Sequence, residues 1–217
     1  MENAKKNIAI LSIIRNGPEK AKYKTALDSM ECYAKKNNYS YLQLHGEDFK
    51  AVCGQDDIHF QRHCIVAHIL ETYNFTWVLQ AEGDIGVVNE KMKLEVYVKE
   101  HTDIIFYERF FNFEVAAGSY LVRKSTFSIA FLRGWADYSF RIPKTFGLLD
   151  NEAMHMWFVE VLAPNAPLAP VCWLLWRRAK NFDTLSDFTV CCREAMKNAT
   201  LSQIFIYKRG EAWVRDG

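Results

Sequence analysis

Ile8 to Ile14 is an unbroken apolar, β-branched run closed by Asn16-Gly17-Pro18, the pattern of a strand covered on both faces in a parallel sheet. The period then changes. From Tyr23 to Lys36 the apolar positions Ala26, Leu27, Met30, Tyr33 and Ala34 recur every three or four residues, which predicts an amphipathic helix, and Tyr39 to Leu44 predicts a second strand. Asp56 to Tyr73 predicts a second helix, with Asp56 or Asp57 as N-cap and Phe60, Cys64, Ala67, Ile69 and Leu70 on its apolar side. Thr76 to Gln80 predicts a third strand and Leu94 to Val98 a short helix. Ile104 to Tyr107 and Val115 to Val122 read as further strands, with Phe110, Phe111 and Phe113 between them. Phe127 to Tyr138 and Glu152 to Leu162 read as helices, the prolines at 164, 167 and 170 mark an irregular segment, and Ile204 to Tyr207 is a last strand. Strand–helix alternation of this kind predicts an α/β fold with a mainly parallel central sheet, which binds ligands beyond the carboxyl ends of its strands.

The chain has 217 residues, a length that fits one domain over 1–217, large enough to bury roughly 70% of its unfolded surface. Lys plus Arg is 27 and Asp plus Glu 26, so there is no basic excess with which to bind a nucleic-acid backbone. No apolar run approaches the ~20 residues that span a bilayer, and the basic start is followed by Arg15-Asn16-Gly17 rather than a cleavage site. Read as it stands, the sequence carries no signal or anchor, an expectation of a cytoplasmic location if it is full length. The six cysteines, at 32, 53, 64, 172, 191 and 192, contain no C-x-x-C pair and leave disulfide pairing open. Sequons at Asn38, Asn74 and Asn198 point weakly toward a lumenal history.

The densest chemistry follows the third strand. Glu82 and Asp84, flanking Gly83, put two carboxylates at the ligand-binding edge of the sheet, a pair suited to a hard divalent cation, Mn²⁺ or Mg²⁺, whose other positions diphosphate oxygens can fill; a polar turn is the plainer explanation. At Asp150-Asn151-Glu152-Ala153-Met154-His155, Asp150 reads as an N-cap, and with Asn151 can hydrogen-bond sugar hydroxyls; a capped helix with a surface His is the competing reading. The Ala116-Ala117-Gly118 stretch lets a ligand ring approach backbone, or marks a bulge. His59 and His63 have zinc spacing without a completed ligand set, so packing with partial solvation is expected for both. Trp173, Trp176, Arg177 and Arg178 either border an acceptor sugar or are core Trp with solvated Arg. Elbow, Walker and dinucleotide motifs are absent from the sequence.

The runs 75–89, 117–123 and 150–155, together with Asn181-Phe182-Asp183, Cys191-Cys192-Arg193 and the terminal Gly210-Glu211-Ala212-Trp213-Val214-Arg215-Asp216-Gly217, resemble the glycosyltransferases of an uncharacterised-domain family (domain of unknown function 273), distantly similar to the alpha-galactosyl- and alpha-mannosyltransferases of the Golgi. The resemblance implies an A-type glycosyltransferase fold, with helices on both faces of the sheet, a nucleotide-sugar donor and a glycan or glycoprotein acceptor. It implies that Glu82 and Asp84 hold the metal, that Gly83, Asp84, Gly118, Asp150 and Asn151 bind the donor, and that Asp150 and Asn151 act in catalysis. It also implies hexosyl transfer with retention in the Golgi lumen, and contact of the Asp57–Arg62 region with the nucleotide. Glu82 stands where the family usually has Asp, and Glu152 where it has Gly, bringing a charge toward the sugar. The family pattern continues past the terminal motif to a His resembling a third metal ligand, so the reading expects a truncated C-terminal end. Two other classes follow from the same residues: a catalytically silent binding or scaffold protein, and a phosphoryl-processing α/β enzyme.

Overall fold

The computed structural model describes residues 7–110, 112, 114–146, 150–199 and 202–215. Phe111, Phe113, Thr200 of the third sequon and the terminal Asp216-Gly217 lie outside them. The described residues form a six-stranded sheet ordered β2-β1-β3-β5-β4-β6, from β1 (Ile8–Ile14), β2 (Ser40–His45), β3 (Trp77–Ala81), β4 (Ile104–Tyr107), β5 (Ser119–Arg123) and β6 (Ile204–Tyr207). The unbroken apolar run of β1 is buried at all seven positions, because it pairs in parallel with β2 on one side and β3 on the other. That divergence is a switch in strand order, where α/β sheets open a crevice at the carboxyl edge.

β5 departs from the expected direction. It runs antiparallel to both β3 and β4, with Ala81 opposite Ser119, so its amino end meets the carboxyl end of β3. The expected strand from Val115 is shorter for the same reason: Val115 makes only an isolated bridge to Glu108, and 116–118 turn into β5. The other five strands share one direction.

Helices cover both faces. On one side α2 (Lys24–Asn37) buries Met30, Tyr33 and Ala34 against Ile8, Ile10 and Leu79. On the other, α3 (Ile58–Thr72), α4 (Thr126–Asp137), α5 (Asp150–Leu162), α6 (Ala169–Arg178) and α7 (Phe182–Ala195) close over Leu11, Val78, Phe106 and Tyr120. A short α1 (Gly17–Lys22) was not foreseen; Pro18 sits in its first turn and Asn16 caps it, since the orphaned amide positions of a first turn suit proline. The irregular segment expected around the prolines is confined to 163–168, with Pro164 and Pro167, and α6 and α7 follow it. Pro170 lies in the first turn of α6, and Asn181 with Thr184 forms a capping box for α7. The aromatic-basic patch resolves as core: Trp176 is fully buried on Phe188, while Arg177 and Arg178 are exposed.

Two disulfides, Cys53–Cys64 and Cys172–Cys191, tie the loop after β2 to α3 and α6 to α7. Cys32 and Cys192 are free. Among the described residues no helix is long and apolar enough to cross a membrane.

Candidate active site at the carboxyl edge of the sheet

Three elements converge beyond the carboxyl end of β3. The chain leaves β3 at Ala81 and delivers Glu82, whose amide donates to the Gly118 carbonyl at 3.1 Å. This contact exists because β5 is antiparallel and starts beside β3's end. It leaves no room for a side chain at 118: a Cβ there would lie 2.4 Å from Glu82 Oε2. Gly83 has a different task. Its missing Cβ would meet Ile14 Cγ2 at 2.8 Å and a Tyr23 ring carbon at 3.0 Å, so it lets the turn pack on β1 and does not line the cavity. Asp84 is exposed and makes no hydrogen bond among the described residues.

Glu82, Asp84, Gly118, Asp150 and Asn151 all line one cavity of ≈ 810 Å³, together with His59, Arg62, Arg109 and the terminal-motif residues Trp213 and Arg215. Trp213 is held there by its indole N–H donating to the Ser119 hydroxyl at 3.0 Å. Asn151 is fixed by accepting the Ala117 amide on Oδ1 at 2.8 Å, and its buried Nδ2 has no partner among the described residues. The small residues 116–118 thus serve as backbone wall and as anchor for Asn151.

The strongest electrostatic feature was not singled out by the sequence. Arg62, on α3, donates one guanidinium nitrogen to Glu82 and another to Asp150. Its side chain is only 5% exposed and that of Asp150 4%. Burial works against the Arg62 charge, but Asp150 and Glu82 outweigh it and raise its pKa. Burial likewise pushes the Asp150 carboxyl up, yet the Arg62 guanidinium and a hydrogen bond from His63 hold it well below the usual carboxylate range. An ion pair sealed from water in this way is costly to leave half-made. Sequence pattern hid it because a lone Arg on a helix normally reads as solvent-facing; the available signal was that α3 is buried almost all round from Phe60 to Leu70.

Two expectations for histidines are corrected. His63 is fully buried rather than partly solvated, hydrogen-bonded at 2.9 Å to Asp150 and at 2.9 Å to the Tyr120 hydroxyl. His155 is no surface residue either: it is fully buried, its Nδ1–H donating to the Asn151 carbonyl while Nε2 accepts the Val115 amide at 3.0 Å. Both are disfavoured as cations by burial, which lowers the pKa of His63 to about 4 and also lowers that of His155. His59 instead bonds Asp57, the N-cap of α3. α5 is described from Asp150 onward; residues 148 and 149, read as leading into it, lie outside the described residues. Glu152, expected to bring charge toward a sugar, is buried at 7% exposure and does not line the cavity.

The donor set fits a hard cation in part. Two carboxylates one residue apart face the cavity, with one Glu82 oxygen committed to Arg62, and no group of three or more His, Cys, Asp or Glu is gathered for a metal among the described residues. Most ligands of such an ion would come from phosphate oxygens and water.

Among solved structures the fold is similar to that of a glycosyltransferase involved in the glycosylation of the major capsid of PBCV-1, with a TM-score of 0.55 over 73% of this chain and 78% of that one. Identity is 14%, so the likeness is one of architecture: an α/β fold with helices on both faces of a six-stranded sheet. No curated protein matches the sequence. Residues 30–217, however, match a family described as "Protein of unknown function, DUF273", and with most of its length inside that match the chain belongs to this family.

Proposed function

We propose that this protein is a glycosyltransferase that moves a hexose from a nucleotide-sugar donor to a hydroxyl of a glycan or glycoprotein acceptor. The observation that carries the reading is the meeting of Glu82, Asp84, Asp150 and Asn151 around one cavity beyond the carboxyl end of β3, from segments that are far apart in sequence. Glu82 and Asp84 would hold Mn²⁺ or Mg²⁺, which when bound neutralises charge growing on the departing diphosphate. Asp84 offers an exposed carboxylate that makes no hydrogen bond among the described residues. Arg62 fixes Glu82 and Asp150 relative to each other, so the acids need not reorganise when a donor arrives. Asp150 and Asn151 orient the sugar for an acceptor hydroxyl, a task of positioning as much as of chemistry. Retention at the anomeric centre and a Golgi lumenal setting are what the resemblance of the sequence motifs to the Golgi transferases implies. The lumenal setting is supported by two disulfides, which persist in oxidising compartments, and by the exposure of Asn38, Asn74 and Asn198.

A second reading, a catalytically silent relative that binds without transferring, is favoured by the Arg62–Glu82 pair, since it engages one of the two Glu82 oxygens that a metal would use. Calorimetric titration with uridine and guanosine diphosphates separates the two. Binding strengthened by Mn²⁺ and abolished by Asp84→Ala, together with donor hydrolysis that the same substitution removes, supports the transferase. No binding at millimolar diphosphate, with or without Mn²⁺, overturns it.

A further inference from the structure

We propose that His63 is a positioning residue for Asp150: clamped between the Tyr120 hydroxyl and the Trp135 ring, it fixes one carboxylate oxygen so that the other is presented to the cavity. The inference rests on the reading of Asp150 as part of a sugar-binding site, and goes beyond it by naming what aims the acid.

The hydrogen-bond directions follow from chemistry. Asp150 is ionised beside Arg62 and can only accept, so His63 Nε2 carries the proton and donates to Oδ2 at 2.9 Å. A neutral imidazole then has an acceptor at Nδ1, and the Tyr120 hydroxyl at 2.9 Å must donate to it. The order is Tyr120 O–H to Nδ1, and Nε2–H to Asp150. The ring cannot tilt away, because Trp135 stacks on it with centroids 3.4 Å apart and planes 14° from parallel. The same Trp135 donates its indole N–H to the Asp150 backbone carbonyl at 2.9 Å. Asp150 is thereby held at its backbone by Trp135 and at Oδ2 by His63 and Arg62, while Oδ1 makes no hydrogen bond among the described residues. Arg62 contributes charge and is shared with Glu82; His63 is neutral and contributes direction. A ligating or reacting group locked by an outer partner in this manner is how tolerances of a few tenths of an ångström are met.

The test uses the full chain with a panel of UDP-glucose, UDP-galactose and GDP-mannose and Mn²⁺. His63→Phe, which keeps a ring against Trp135, is expected to lower kcat for donor hydrolysis by ~10- to 100-fold with little change in donor KM. His63→Gln, which retains a donor nitrogen, should recover part of the loss. Nitrogen-15 spectra of the ring supply a readout independent of turnover: at pH 7 His63 should be the neutral Nε2–H tautomer, shifting toward a mixture in Tyr120→Phe. A His63 ring protonated on Nδ1 at pH 7, or a His63→Phe enzyme with the kcat of the parent, overturns the proposal. Should no donor be hydrolysed even by the parent, the transferase reading fails, and the spectra alone then decide the clamp: the neutral Nε2–H tautomer upholds it and any other form rejects it.

Discussion

Arg62 and His63 are neighbours on one helix and both reach Asp150, yet their ionisation pulls stability in different ways. The His63 pKa is lowered to about 4 from 6.5 by burial. In the unfolded chain this imidazole takes up a proton as pH falls below about 6.5, whereas in the folded chain it does so only near pH 4. Between those values the unfolded state binds more protons, so stability is full above the window and declines as pH falls through it, by up to roughly 3 kcal/mol. The lowered pKa of His155 acts in the same direction. Urea unfolding at pH 7 and pH 5 should therefore show a loss for the parent that is smaller in His63→Gln; an equal loss in both would remove His63 from the account. At this scale the acids were legible and their partners were not. Glu82 and Asp84 announce themselves by following an apolar strand, and Asp150 and Asn151 by opening a helix. Tyr120 and Trp135 look like any core aromatic, because nothing in a sequence period reports which buried ring faces a carboxylate.

Helices α4 and α5 meet where one lacks a side chain and the other has its largest. A Cβ on Gly134 would lie 2.3 Å from Trp157 Cζ2, and Trp157 is pinned by its indole N–H donating to the Phe131 carbonyl at 3.0 Å. Gly134→Ala should thus destabilise by about 1–3 kcal/mol through overpacking, despite the better intrinsic helix propensity of Ala. Chemical denaturation measures it, and a neutral or stabilising result would mean that the helices can separate freely. Because α5 begins with Asp150 and Asn151, the same substitution should also weaken binding of the nucleotide-sugar more than that of the diphosphate alone. Most elements were readable from period alone, β1 and β4 to the residue. Two of the failures, α1 and α6, share a cause. Pro18 and Pro170 were read as breakers, but each occupies a first helical turn where its missing N–H costs nothing.

For the molecule as a whole, sequence order alternates strand and helix, which is why the α/β class was legible, but alternation does not report strand direction. The reversal of β5 is a tertiary fact, set by the pairing of Ala81 with Ser119. Disulfide pairing was equally invisible, since six cysteines admit many arrangements. Cys53–Cys64 and Cys172–Cys191 span 11 and 19 residues, and loop closures of that size stabilise by about 3 kcal/mol each in the chain-entropy account. Reducing agent should lower Tm by several degrees, and alkylation of the denatured, non-reduced chain should label Cys32 and Cys192 alone; labelling of all six would show that neither bridge forms.

The direction of β5 also bears on how such a molecule diversifies. Since β4 ends and β5 begins at the same rim, the stretch between them returns to its starting edge and contributes Arg109, Ala116, Ala117 and Gly118 to the cavity. A parallel strand would have needed a crossover to the opposite edge. Here a segment anchored at both ends on the rim can be lengthened or exchanged without disturbing a single ladder of the sheet, a place for selectivity to vary while the scaffold is conserved.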